Sequence, residues 1–274
     1  MEINHVALIS LTDRIIPSEL SQTAAILQKQ IIKDLGPAWG LNATINAFPD
    51  LNIPDGYWPI TIVDKEKIND ANDEGFHWSP DNHIPLAIVK YDNDWQLTCS
   101  HEMCEMLVDP YGNKTCTGEA FGDEEGSVKY LVEVCDPCQD INFSYLIDGV
   151  KVSDFYMPSY FDSFQNNSTR YSCAGFIKGP RQVLKNGYLT WQDFILGRWY
   201  QANFFGDALE INDVTDRMPL NGPLRSRIDR ITKNPKRQKN KKALNKVQKK
   251  SATIQHTGFY KQQLFKDIAK YIQL

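Results

Sequence analysis

The chain has 274 residues, of which 42% are hydrophobic and 23% are charged, a composition that excludes a disordered, collagen-like or coiled-coil protein. No apolar run approaches the roughly 18–20 residues of a membrane span, and the N-terminus lacks a secretory-signal pattern. These features predict an intracellular, cytoplasmic globular protein without a membrane span. Charge is distributed unevenly: residues 1–222 carry 15 basic and 32 acidic residues, whereas residues 223–274 carry 15 basic and two acidic residues.

The first half of the chain alternates between strand and helix patterns. Short apolar runs indicate strands, whereas apolar residues that recur every three or four positions indicate helices. Residues 65–82 are polar and are predicted to be irregular. The predicted elements are a strand at 5–10, a helix at 18–35, strands at 43–48, 57–63 and 85–91, and a helix at Trp95–Val108.

The second half contains more turn signals, among them Asp148-Gly149, which is typical of a tight hairpin. Its predicted elements are a strand at 127–134, a hairpin at 142–154, a helix at 190–205, a linker at 217–251 and a terminal helix at 258–274. Together the elements predict an α+β fold. We expect one domain over 1–222 and a basic C-terminal extension over 223–274 that ends in a helix.

The helix at Trp95–Val108 carries the sequence His101-Glu102-Met103-Cys104-Glu105. His101 and Glu105 are one helical turn apart and can therefore share one metal ion. Glu102, next to the first ligand, is placed to accept a proton from a metal-activated water. The segment predicts a metal site with Glu102 as general base. The alternative interpretation is the solvent-facing side of an ordinary amphipathic helix.

The longer pattern, Ser100 to Pro110 followed by Glu133-Val134-Cys135-Asp136-Pro137, resembles the zincin-like metallopeptidases. It is especially similar to a group of uncharacterised zincin-like proteins from bacteria and phages, and the match covers about residues 75–161. The resemblance implies a twisted mixed sheet whose edge strand binds substrate and precedes the motif helix. We expect the strand at 85–91 to be that edge. The implied activity is metal-dependent hydrolysis of a peptide or protein substrate.

The resemblance also implies a third metal ligand downstream of the helix. Glu133 is the first choice, with Asp136 and Asp109 as alternatives. Zn²⁺ is the expected ion, and Mn²⁺ or another divalent metal is the alternative because Glu105 replaces the second histidine of the usual motif. Three further side chains are candidates to stabilise an oxyanion: His77, Tyr156 and Tyr160.

Two other hypotheses belong to different functional classes. Cys135 and Cys138 have the spacing of a metal knuckle, and with Cys99 and Cys104 they could hold a structural metal. Residues 234–250 contain eight basic residues and no acidic or aromatic residue, a composition that suits contact with phosphates. The second hypothesis is therefore a non-catalytic zincin-like interaction protein whose basic tail binds an anionic partner such as nucleic acid.

Overall fold

Two five-stranded sheets and a separate two-stranded hairpin organise the protein. The computed structural model describes residues 3–68, 75–79, 84–122, 125–162, 168–232 and 259–272. Within these ranges the chain is a mixed α+β structure, which confirms the predicted fold class. The basic segment at 234–250 lies outside the described residues, so its predicted contact with phosphates stays a prediction.

The strands and helices have the following bounds. The first sheet contains β1 (Ile3–Ser10), β2 (Asn42–Phe48), β3 (Tyr57–Val63), β4 (Gly75–Trp78) and β5 (Leu86–Lys90). The second contains β6 (Thr115–Glu119), β7 (Ser127–Leu131), β10 (Tyr188–Asp193), β11 (Arg198–Asn203) and β12 (Glu210–Asp213), and the hairpin contains β8 (Tyr145–Ile147) and β9 (Val150–Val152). The α-helices are α1 (Pro17–Gln30), α2 (Gly36–Trp39), α3 (Trp95–Val108), α4 (Leu224–Asp229) and α5 (Phe259–Ala269).

The first sheet has the strand order β2-β1-β3-β5-β4, in which β4 is antiparallel and the other strands are parallel. The expectation that the strand at 85–91 forms the edge is therefore wrong, because β5 lies between β3 and β4. All five residues of β5 are buried, as a strand covered on both faces requires. The edge strands are β2 and β4, and the edge strand next to β5 is β4, a four-residue element within the segment predicted to be irregular.

The two faces of the first sheet have different partners. Along β1, Val6 and Leu8 belong to the cluster that includes α1 and α3, whereas Ala7 and Ile9 pack with Leu264 and its neighbours on α5. This division follows from the alternation of side chains along a strand. The predicted terminal helix is thus confirmed as a helix, and it covers one face of the sheet.

The same alternation divides the side chains of β4. Phe76 and Trp78 contact the ring of Tyr271 beyond α5, at centroid distances of 5.6 and 4.3 Å. His77 lies between them in sequence and points to the opposite face, toward α3. A strand of only four residues therefore carries an apolar contact on one side and an imidazole on the other.

The prediction of a helix at 190–205 is wrong. This segment forms the antiparallel strands β10 and β11, in which Trp191 lies opposite Tyr200. Trp191 also pairs with Tyr130 of β7, some sixty residues earlier in the chain. Aromatic residues favour strands where such cross-strand neighbours exist, and local spacing does not reveal those neighbours.

No helix within the described residues has both the length and the apolar composition needed to cross a membrane.

A buried polar network holds helix α3 against its neighbours. Ser100 donates to the amide oxygen of Gln30 on α1 at 2.7 Å and accepts from the backbone of Ser153 at 2.9 Å. These bonds join α1, α3 and the chain after β9.

Gly187 allows a close approach between the start of β10 and the turn at Asp136–Cys138. A Cβ at this position would lie 2.4 Å from the carbonyl oxygen of Pro137 and 2.8 Å from that of Asp136. Both atoms belong to the backbone and cannot rotate away. The absence of a side chain at Gly187 therefore helps to set the position of Asp136.

We expect Gly187→Ala to lower the free energy of unfolding by about 1–3 kcal/mol, because the turn must move to relieve the clash. Urea denaturation at neutral pH measures this change. Gly179→Ala is the matched control, since a Cβ there would have no neighbour within 4 Å. A Gly187→Ala protein as stable as the Gly179→Ala control would contradict this role.

Candidate metal and catalytic site

Helix α3 has the predicted bounds, but its polar side is covered rather than open to solvent. The side chain of Glu105 is completely buried and that of Glu102 is 4% exposed, whereas His101 retains 13% exposure. Strand β4, the segment at 132–136 and helix α4 cover this side of α3. The alternative interpretation of these residues as a solvent-facing helix side is therefore wrong.

His101 lies beside two acidic side chains, and all three residues are possible metal donors. Its Nε2 atom is 3.2 Å from Oε2 of Glu105 and 3.5 Å from Oδ1 of Asp136. Two ligands that each lie about 2.0–2.1 Å from a tetrahedral ion are about 3.3–3.4 Å apart. The two distances from His101 are therefore close to the spacing of ligands around a small divalent cation.

Glu133, the expected third ligand, also lies in this group. The donor atoms of Glu105, Glu133 and Asp136 are all within 4.8 Å of one another, and all three residues are buried. Asp136 has the direct contact with His101, whereas the carboxylate of Glu133 contacts the guanidinium of Arg225. The structure thus places both downstream acids beside the helix motif.

A backbone amide orients the carboxylate of Glu105. The N–H of Cys135 donates to Oε1 at 3.1 Å, while Oε2 is the atom near His101. The thiol of Cys135 lies within 4.8 Å of the donor atoms of His101 and Glu105. Burial and the neighbouring thiol of Cys104 raise the pKa of Cys135 well above its usual value, so the thiolate that binds metal is disfavoured.

The cysteine-anchored metal has little support among the described residues. All six cysteines are free thiols. Of the four proposed ligands, Cys135 joins a group of three donors, whereas Cys99, Cys104 and Cys138 belong to none within the described ranges. Burial raises the pKa of Cys99 and Cys138 as well, which keeps both thiols protonated.

Arg225 is the residue that the sequence analysis missed. Its buried guanidinium contacts the carboxylates of Glu105 and Glu133 through Nη1 and lies 3.4 Å from Asp229 through Nε. Nη2 is 3.9 Å from Glu102. The linker predicted at 217–251 therefore contains a helix, α4. The spacing of Arg225 and Asp229 by four residues is the local signal that could have indicated it.

The loop after α3 holds helix α4 over the site. The N–H of Arg225 donates to the carbonyl of Gly112 at 2.9 Å, and that of Leu224 donates to Oδ1 of Asn113 at 2.9 Å. Asp109 orders this loop, because its carboxylate accepts from the backbone of Asn113 and of Lys114. The carboxylate of Asp109 therefore binds the loop after α3, whereas those of Glu105, Glu133 and Asp136 lie close to one another.

The guanidinium and a metal ion would share the same carboxylates. Each carboxylate oxygen has two lone pairs, so Oε2 of Glu105 can accept from Arg225 and still face an ion beside His101. Arg225 offsets part of the negative charge that three buried acids bring together. The donor set therefore fits a divalent cation, with Arg225 as a fixed positive neighbour.

Among the three candidate oxyanion donors, His77 contacts helix α3. Its Nδ1 atom is 3.3 Å from Oε2 of Glu102, and its Nε2 atom has no hydrogen-bond partner among the described residues. The hydroxyl of Tyr160 donates to the carbonyl of Gln182. Tyr156 is buried and stacks on Tyr160 at 4.3 Å, and it is not one of the residues that line the cavity described below.

Gly75 allows β4 to lie close to α3. A Cβ at this position would be 2.6 Å from Cγ2 of Thr98 and 2.9 Å from Oε1 of Glu102. Because glycine lacks this atom, the edge strand can place His77 against Glu102. Both Gly75 and Glu102 face a cavity of about 260 Å³ that opens beside His101 and Asp136.

The charges in the site are strongly coupled. Burial alone would raise the pKa of Glu105, but the positive charges of Arg225 and His101 outweigh it and lower that pKa. Burial opposes a charge on His101, but Glu105 and Asp136 outweigh it and raise the pKa of the imidazole. Burial and the nearby charge of Glu105 raise the pKa of Asp136 to about 7.

Comparisons with known proteins give no independent assignment. No protein-family model, no curated protein and no solved structure matches this chain. The functional argument therefore depends on the residues and distances described above.

We expect Asp136→Asn to stabilise the metal-free protein at pH 8 and to have little effect at pH 4. An acid whose pKa is raised on folding destabilises the folded state when it ionises. The free energy of unfolding therefore falls as the pH rises from about 4, the pKa in the unfolded chain, to about 7, the pKa in the folded protein. The gain at pH 8 is at most about 4 kcal/mol.

Urea denaturation with a chelator at both pH values measures this difference. Asp216→Asn is the control, since that side chain is 90% exposed. The same pH dependence in both variants would show that the burial of Asp136 is not the cause.

We expect Arg225→Met to lower the free energy of unfolding of the metal-free protein by about 3–5 kcal/mol, because Glu105 and Glu133 lose their buried counter-charge. Arg198→Met removes an arginine from an exposed pair with Asp213 and should change stability little. Added Zn²⁺ should restore more stability to Arg225→Met than to the wild type. Equal effects of the two arginine substitutions in urea denaturation would be inconsistent with this assignment.

Proposed function

We propose that the protein is a metal-dependent hydrolase that cleaves peptide or amide bonds. The observation that carries the proposal is the contact of His101 with Glu105 and Asp136, at 3.2 and 3.5 Å, next to a third acid, Glu102, that faces a cavity. A structural metal site needs the first three residues but has no use for Glu102. Hydrolysis needs both the ion and the base.

His101, Glu105 and Asp136 would hold the ion. Glu133, the third ligand predicted from the zincin resemblance, forms a second possible donor group with Glu105 and Asp136. A divalent ion in this position supplies Lewis-acid polarisation of the scissile carbonyl and lowers the pKa of water. Zn²⁺ is the proposed ion because imidazole favours it. Mn²⁺ is the alternative because the other donors are carboxylate oxygens.

Glu102 is the proposed general base. Its carboxylate lines the cavity, where it can accept a proton from water and return it to the leaving amine. His77 contacts Oε2 of Glu102 and positions that carboxylate from the edge strand. Arg225, at 3.9 Å, is a fixed positive charge on the same side of the cavity.

The placement of the edge strand supports a zincin-like interpretation. Strand β4 is antiparallel, lies at the edge of the sheet and packs beside the helix that carries the motif. An exposed strand edge can bind an extended peptide through backbone hydrogen bonds. We therefore propose a peptide or a protein segment as the substrate, in an intracellular setting.

We expect the purified protein to hold about one divalent ion per chain, and Glu105→Gln to lose it. Glu102→Gln should retain the ion but hydrolyse peptides at least about 100-fold more slowly, because it removes the base and not a ligand. Elemental analysis and a fluorescence-quenched peptide library measure the two properties. Glu119→Gln, whose side chain is 57% exposed, is the matched control for both.

Two results would overturn the proposal in different ways. A wild-type protein that stays free of metal after incubation with Zn²⁺ or Mn²⁺ would exclude the metal site. Hydrolysis that is unchanged in Glu102→Gln would exclude the role of this residue as the base.

A further inference from the structure

We propose that the cavity beside Glu102 binds the cationic side chain of a peptide substrate, a lysine or an arginine. This inference deepens the proposed function, because it names the substrate class of the same site. It depends on the charge of the cavity wall and on a buried acceptor that has no partner. Asp140 and Asn186, the two residues that carry most of the argument, are not among the proposed metal ligands.

Acidic residues dominate the polar part of the cavity wall. Five carboxylates line the cavity. The basic residues in the described wall are His101, a proposed metal ligand, and Arg225. Its guanidinium is already committed to Glu105, Glu133 and Asp229. The five acids are Asp94, Glu102, Asp136, Asp140 and Asp229.

Asn186 supplies the independent observation. It lines the cavity, it is 7% exposed, and its side-chain Oδ1 atom has no hydrogen-bond partner among the described residues. Its Nδ2 atom donates to a carboxylate oxygen of Asp140, which identifies the other amide atom as the oxygen Oδ1. An amide oxygen can only accept hydrogen bonds. A buried acceptor without a donor is destabilising, so this position favours a ligand that brings N–H groups.

The backbone around Asn186 is held in place on both sides. Its N–H donates to the carbonyl of Phe204 at 2.9 Å, and its carbonyl accepts from the side chain of Gln139 at 2.7 Å. Asp140 is fixed in turn, because its Oδ1 atom accepts from the backbone and the side chain of Asn142. The acceptors are therefore preorganised rather than free to turn away.

The shape of the cavity suits one long side chain. Its volume of about 260 Å³ is smaller than a typical site for a drug-sized ligand. Apolar walls can cover the methylene groups of a lysine or arginine while the charged end reaches the acceptors. Those walls include Leu97, Ile141, Tyr188 and Phe205.

The position of the cavity links binding to cleavage. His101, Glu102 and Asp136 belong to its wall as well as to the proposed reaction centre. A cationic side chain in the cavity would therefore come from a residue next to the bond that is cleaved. An acidic side chain would meet like charges, and a neutral apolar one would leave the acceptors unpaired.

The test compares two blocked peptides that differ at one residue, lysine or norleucine, which has a neutral chain of similar length. Titration calorimetry on the full chain with a chelator measures binding without turnover. We expect the lysine peptide to bind about tenfold more tightly, a preference that weakens as salt is added. Asp140→Asn should remove most of this preference, while Asp216→Asn, at an exposed site, should not change it.

A second variant keeps the inference testable if Asp140→Asn fails to fold. Asn186 has a φ of 65°, which glycine adopts without strain, so Asn186→Gly removes the acceptor and retains the backbone conformation. It should also reduce the preference for lysine. Equal affinity of the two peptides, or a preference that both cavity variants retain, would overturn the inference.

Two further outcomes identify which proposal has failed. Binding of free spermidine without binding of the lysine peptide would overturn the peptide part of the inference, since it would indicate a site for free polyamines. A lysine preference in a protein that never hydrolyses peptides would overturn the proposed function alone. Hydrolysis without any lysine preference would overturn this inference alone.

Discussion

The buried carboxylate of Glu105 is the interaction on which the rest of the site depends. A carboxylate without solvent is strongly unfavourable unless positive charges and hydrogen-bond donors surround it. Glu105 obtains these from three separate parts of the chain: the imidazole of His101, the backbone N–H of Cys135 and the guanidinium of Arg225. Because each partner comes from a different element, the need to satisfy one carboxylate determines where helix α3, the turn after β7 and helix α4 meet.

Close backbone approaches make this convergence possible. Gly75 lets the edge strand lie against α3, and Gly187 lets the start of β10 lie against the turn that carries Asp136. The sheet then contributes through its alternation, since β4 places His77 toward Glu102 and its two aromatic neighbours toward α5. The same strand therefore joins the candidate site to the opposite face of the sheet.

The guanidinium of Arg225 is a fixed cation in this site, whereas the proposed metal ion would be an exchangeable one. Glu105 and Asp136 contact His101, Glu133 lies close to both acids, and the arginine offsets only part of their charge. Burial keeps a proton on Asp136 up to about pH 7, so the cluster can hold its charge in more than one way. A metal ion would replace that proton and add positive charge where the carboxylates converge. The cavity continues this acidic character beyond His101 and Glu105, toward Asp140 and Asn186.

The sequence by itself determined the local features of this protein. The bounds of α3 follow from its apolar spacing, and the contact of His101 with Glu105 follows from helical geometry, since residues four apart lie on one side. Only the tertiary structure decided which strand is the edge, that 190–205 forms strands, and that Arg225 reaches Glu105 from 120 positions away. Periodicity records which residues share one face of an element. Strand pairing and the neutralisation of buried charge depend on partners that are distant in the chain, and these partners become known only when the elements pack.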